Sequence, residues 1–152
     1  MKAPRTPKVN PTADLFPALP GQPAVVNIRG LLPGWEQIPT HVYIGRPRPG
    51  LSGLWGNPIK PGRFCLVCDT VHKTPADTIP CYRTFLAQLR DGSPAEAQVL
   101  RGNLLMLTGR VLCCFCAPRP CHGHDIVREW RRIVLDHPND ADVRTALAPY
   151  TS

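Results

Sequence analysis

Arg110-Val111-Leu112-Cys113-Cys114-Phe115-Cys116, continued after Ala117-Pro118 by Arg119-Pro120-Cys121-His122-Gly123-His124, is the stretch whose reading decides the fold. It follows the turn signal Thr108-Gly109, and a short apolar run bounded in this way reads as a buried strand. Side chains alternate across a strand, so Cys114 and Cys116 share one face and Cys113 points to the other. The prolines then turn the chain back. Ile126, Val127, Trp130, Ile133 and Val134 form an apolar stripe at helical spacing, with Arg128, Glu129, Arg131 and Arg132 opposite. The spacing predicts a helix over about 123–135. A strand feeding directly into an amphipathic helix is the repeating step of a layered α/β fold.

Upstream segments fit the same layers. Ala24-Val25-Val26-Asn27-Ile28-Arg29 and His41-Val42-Tyr43-Ile44 are short β-branched runs that read as strands. Thr74-Pro75-Ala76-Asp77 offers a cap residue, a proline and an acid, after which Ile79, Tyr82, Phe85, Leu86 and Leu89 recur at helical spacing, giving a helix over about 75–90. Ser93-Pro94-Ala95-Glu96 repeats the signal as a capping box, and a second helix runs on to Thr108-Gly109, weakened in its middle by Gly102. A further short helix is expected around 140–147. The whole is read as a single small α/β domain over 23–136, a short sheet packed with about four helices and rich in loops. Residues 1–22 are read as a disordered Pro-rich tail and residues 137–152 as a peripheral C-terminal tail.

Composition agrees with many loops, since 19 Pro and 12 Gly among 152 residues stand well above the usual share of about 12%. No apolar run approaches the roughly 18 to 20 residues needed to span a bilayer, and the N-terminus leads into prolines, so no membrane association and a cytoplasmic location are expected. Eighteen Lys and Arg against 11 Asp and Glu give a net charge of +7. That balance favours an anionic small molecule or nucleotide, with nucleic acid as a further partner class. Oligomeric state is not written in the composition.

Seven cysteines without a secretion signal argue against a disulfide framework and for metal or thiol chemistry. Two constellations stand out. Cys114-x-Cys116-x4-Cys121-His122 brings three thiols and an imidazole toward the tetrahedral preference of zinc. Cys65-x2-Cys68-x3-His72 is a metal half-site flanked by Arg63 and Lys73. Its fourth ligand is open: Cys81 is one candidate, although it lies within the expected first helix, and a site shared with Cys116 and Cys121 is the other. One or two zinc ions are expected. The bland alternative is that the thiols are small buried hydrophobes.

A metal-free alternative makes Cys121 a nucleophile, its pKa lowered by a helix N-terminus, His122 and Arg119. The phosphatase pattern of Cys with Arg six residues later is missing, and no H-x-E accompanies Pro120-Cys121 as a zinc deaminase would require. His122 and His124 are the candidate catalytic residues. Between Gly45 and Pro58, where so many Gly and Pro allow no regular element, Arg46, Trp55 and Asn57 are the candidate ligand-binding residues: a fork for phosphate or carboxylate, a stacking face and an amide. Walker and dinucleotide glycine spacings are missing from it.

Taken in order, Tyr43-Ile44-Gly45-Arg46-Pro47, Trp55-Gly56-Asn57-Pro58, Tyr82, and Gly109-Arg110-x-Leu112-x-Cys114-Phe115-Cys116-x-Pro118-x-x-Cys121-His122-Gly123 resemble the small phage and bacterial proteins of domain-of-unknown-function family 4326. The resemblance spans about 25–135 and implies a single small α/β domain without bringing a settled activity. Two departures are visible: the Cys65-to-His72 segment looks like an expansion, and His124 stands where the family often has an acid. The expectation is therefore a zinc-binding protein, phage-encoded or bacterial, that processes a nucleotide or modified base. The alternatives are an interaction module with purely structural zinc and a metal-free thiol enzyme.

Overall fold

The computed structural model describes residues 17–116 and 119–152. The expectation of a disordered tail falls largely on residues 1–16, outside the described residues. Three short strands, β1 (Ala24–Asn27), β2 (His41–Tyr43) and β3 (Val111–Cys114), form one sheet in the order β1-β3-β2. Both pairings with β3 are parallel, with Val26 and Tyr43 each opposite Cys113. The strand last in sequence is thus the central one, and all three carboxyl ends lie on one edge.

Between β2 and β3 run the helices α1 (Ile79–Arg90) and α2 (Pro94–Leu105), and β3 is followed by α3 (His122–Asp136) and α4 (Ala141–Leu147). The capping box of α2 forms as its sequence requires: Ser93 Oγ accepts from the Glu96 amide, while the Glu96 carboxylate accepts from the Ser93 amide. The expected start of the first helix near 75 is a 3-10 turn, Ala76–Thr78, where Asp77 and Thr74 exchange hydrogen bonds before α1 proper begins.

The two faces of the sheet are covered differently. One carries Ile44, Leu112 and Cys114 into the main core with Tyr82, Leu86, Leu104 and Ile126. The other places Cys113 against Tyr43 of β2 and Trp35 from the β1–β2 connection. Cys113 and Cys114 therefore face opposite ways, as strand alternation demands.

Two readings of the C-terminal third need correction. Glu129 is not on a solvated face: its carboxylate is buried and accepts two hydrogen bonds from Arg90 Nη1 at 2.8 and 3.1 Å. Nor is the C-terminal segment merely peripheral, because Val143 of α4 is wholly buried with Trp130, Leu105 and Val134.

Candidate metal centres at the sheet edge and the adjoining loop

β3 delivers Cys114 at its last position, the chain passes Cys116, and Cys121 becomes the cap residue of α3, its sulfur accepting from the Gly123 amide at 3.3 Å. The three sulfurs meet: Cys116 Sγ lies 2.7 Å from Cys121 Sγ, which is 3.3 Å from Cys114 Sγ. Gly123 lets the first turn of α3 pack close on the sheet, since a Cβ there would stand 2.8 Å from Ile44 Cδ1 and 3.0 Å from a Val25 methyl. Cys114 and Cys121 are buried and Cys116 is partly exposed. Hydrogen bonding to Cys114, followed for Cys121 by its bond to Cys116 and by burial, raises Cys121 far above an ordinary thiol; Cys116 is pushed up to about 12, again led by Cys114. Three touching thiols cannot all ionise unless a cation replaces their protons.

His122 is not in this trio. Its Nε2 faces the Ile44 carbonyl at 2.5 Å, and its ring packs edge-on against Tyr82 at 5.2 Å between centroids. Burial lowers its pKa, so the neutral ring that donates to Ile44 ties α3 to the end of β2. His124, one turn into the helix, has an enclosed Nε2 with no hydrogen-bond partner.

The second group is a small hairpin. Phe64 and Val71 pair as antiparallel neighbours, the Cys65 amide donates to Thr70 O at 2.8 Å, and the Asp69 amide donates to Cys65 O at 2.9 Å. Asp69 takes the left-handed conformation (φ 57°) that closes the turn, one that Asp tolerates better than most residues. This brings Cys65, Cys68 and His72 to one point, and Cys81 completes it, all four ligand atoms lying within 4.8 Å of one another. Cys81 is the third residue of α1, and side chains in a first helical turn lean back toward the N-terminus, here toward the hairpin. Its place inside a helix is therefore what aims it.

A tetrahedral zinc with Zn–S near 2.3 Å sets its donors about 3.8 Å apart, so three sulfurs and an imidazole in this arrangement fit zinc. Hydrogen bonding led by Thr70 lowers Cys68 to about 6, while burial pushes Cys81 up to about 12. The cluster shared between the two cysteine segments does not form; the groups are separate.

The ligand-binding candidates divide. Asn57 is buried and fully engaged: its Nδ2 donates to Thr78 Oγ1 and its Oδ1 accepts from the Ile59 amide, each at 2.9 Å. Trp55 is buried in the main core and lines, with Tyr82, Phe85 and Val99, an apolar groove of about 380 Å³. Arg46 is exposed just beyond β2, with Nη2 on Ile59 O at 3.2 Å. Arg48, with Arg46 a guanidinium fork of the Gly45-to-Pro58 loop suited to phosphate or carboxylate, lies 5.1 Å over the half-exposed ring of Phe115 beside the thiol trio.

Parallel strands ending on a thiol cluster at a helix N-terminus, beside a second Cys/His cluster, define a small α/β protein with two groups of metal-ligand composition. The chain belongs to the family described as domain of unknown function DUF4326, which matches residues 31–132. No curated protein and no solved structure matches it. Among the described residues no helix is long and apolar enough to cross a membrane.

Proposed function

We propose that this protein is a zinc-dependent enzyme acting on a nucleotide-class anion at the carboxyl edge of its sheet. Cys114, Cys116 and Cys121 would hold the catalytic zinc, and Cys65, Cys68, His72 and Cys81 a second, structural one. The observation that carries the reading is the trio's place and number: three thiols, with no fourth donor grouped with them among the described residues, gathered where all three strands end. Ligands of open α/β sheets bind beyond the carboxyl ends of strands, and three protein ligands leave the open position a catalytic zinc needs. Bound there, zinc would supply Lewis acidity. The chain's own contributions are Arg46, whose exposed guanidinium is suited to a phosphate, Arg48 with Phe115 as a flat cationic and aromatic wall, and His124, in the first turn of α3 after Cys121, as a proton carrier. Asn57 and His122 act by holding the Trp55–Ile59 loop and α3 in place.

The metal-free thiol enzyme is less well supported. That reading makes Cys121 the nucleophile, which needs a lowered pKa, and contacts with Cys114 and Cys116 raise it instead; the lowered thiol, Cys68, belongs to the hairpin group.

Metal analysis joined to cobalt substitution tests this. Two zinc ions per chain are expected, falling to one in Cys116→Ala and to one in Cys81→Ala, and staying at two in Cys113→Ala. The cobalt spectrum of the site retained in Cys81→Ala should shift on adding AMP, and Arg46→Ala should abolish the shift. Zinc content unaffected by Cys116→Ala, or a cobalt site indifferent to AMP, would overturn the enzyme reading.

A further inference from the structure

The hairpin that presents Cys65 and Cys68 carries a second face that the metal does not use. Phe64 and Val71 are cross-strand partners, so their side chains lie side by side, and Leu66 follows in the turn that joins them. Cys65, between them, is turned inward and is 2% exposed. Phe64, Leu66 and Val71 are 60%, 88% and 55% exposed. The patch is framed by exposed cations: Lys60 and Arg63 before it and Lys73 after it. None of the three forms an ion pair among the described residues. The single acid in the segment, Asp69, sits at the turn.

We propose that residues 60–73 form a docking surface for single-stranded nucleic acid. An aromatic ring flanked by aliphatic side chains gives an unstacked base a platform that a paired duplex cannot use, and free cations around it meet the phosphates. Charge complementarity selects this occupant: a purely apolar protein partner would leave Lys60, Arg63 and Lys73 without counter-charges, and the net charge of +7 already favours a polyanion. The inference rests on the nucleotide reading proposed above, and it widens the substrate class from a free nucleotide to one within a strand.

The test is fluorescence anisotropy of the full-length, zinc-loaded protein with a labelled dT12 strand, the matching duplex as competitor, and a salt series. Single strand should bind in preference to duplex, with a slope of log affinity against log salt near −2, as about three neutralised phosphates require. Phe64→Ala should weaken binding by about 5- to 150-fold, the range for losing one stacked base, and Phe64→Trp should restore it. Lys60, Arg63 and Lys73 replaced together by Gln should flatten the slope. Each variant is checked for two zinc ions per chain and an unchanged circular dichroism spectrum. Binding that ignores Phe64, follows Arg128, Arg131 and Arg132, or favours duplex overturns the inference, as does a patch that drives vesicle binding or self-association instead. A hairpin that holds zinc yet ignores the strand defeats this inference alone. One that binds the strand through Phe64 without zinc upholds it and defeats the metal reading, and one that does neither defeats both.

Discussion

A methyl group at position 56 would stand 2.8 Å from Gly45 O and 3.1 Å from both Arg46 Cα and Gly53 O. These are backbone atoms, which cannot rotate aside as a flexible side chain does, so the Trp55-Gly56-Asn57-Pro58 segment and the Gly45-Arg46 step fit together only around a glycine. Gly56→Ala is expected to lose about 1–3 kcal/mol, the usual range for overpacking, read by urea unfolding. Gly102 makes the opposite case: it lies inside α2, and a Cβ there meets nothing within 4 Å. Gly102→Ala should therefore gain about 1 kcal/mol, the difference in helix preference between the two residues, in the same experiment. Ligand chemistry was legible in the sequence at this scale where spacing is local, as in Cys65-x2-Cys68-x3-His72. Cys81 was harder to assign because the helix that aims it also looked like an obstacle. Asn57 and His122 are of the right type for ligand contacts, but their partners, Thr78 and Ile44, are 21 and 78 residues away. No local pattern reports that these groups are already engaged.

The ion pairs between α1 and α3 show the same limit for whole elements. Asp125 and Glu129 lie on one face of α3 and are met by Arg83 at 2.8 Å and Arg90 at 2.8 Å. Read along α3 alone, Arg128, Glu129, Arg131 and Arg132 form a solvated face, because the residue that makes Glu129 tolerable inside the fold comes from another helix. Exposed pairs are worth about 0–1 kcal/mol and breaking a buried pair about 3–5 kcal/mol. With the Arg90 side chain 30% exposed and that of Glu129 6% exposed, Arg90→Met should destabilise by about 2 kcal/mol, between those limits. Adding Glu129→Met should recover most of the loss in thermal unfolding, since the stranded carboxylate is then gone. By contrast, β3, the capping box of α2 and the apolar stripe of α3 were legible because each is encoded by neighbours within a turn or two. The strand order β1-β3-β2 was not, because it arises from pairing across more than 60 residues.

Across the molecule, charge and the proposed metal would make separable contributions to stability. Asp140 caps α4: the Val143 and Asp142 amides and then Arg101 hold its carboxyl below the ordinary value. The folded chain thus keeps this group ionised at a pH where the unfolded chain has begun to protonate it. The unfolded state binds more protons, so the stabilisation is complete above about pH 4 and is lost as pH falls below that. Asp140→Asn retains a competent cap, so its melting temperature should trail the parent above pH 4, and the gap should close on further acidification. Taking the difference between the two proteins removes any acid-driven metal release common to both. The metal contribution is local for a different reason. The 32 residues 44–75, between β2 and the 3-10 turn before α1, contain no helix or extended strand, and loops beyond about 12–15 residues without structure of their own are uncommon. Here Trp55, Ile59 and Cys65 anchor the segment in the core, whereas the hairpin beyond Cys65 is held by a few backbone hydrogen bonds, the partly buried Val67 and the proposed zinc. The sheet depends on neither. Stripping the metal with a chelator should therefore remove hydrogen-exchange protection from residues 62–73 and from the first turn of α1, while the amides of β3 and the middle of α3 remain protected. Simultaneous loss throughout the chain would show instead that bound metal holds the whole fold together.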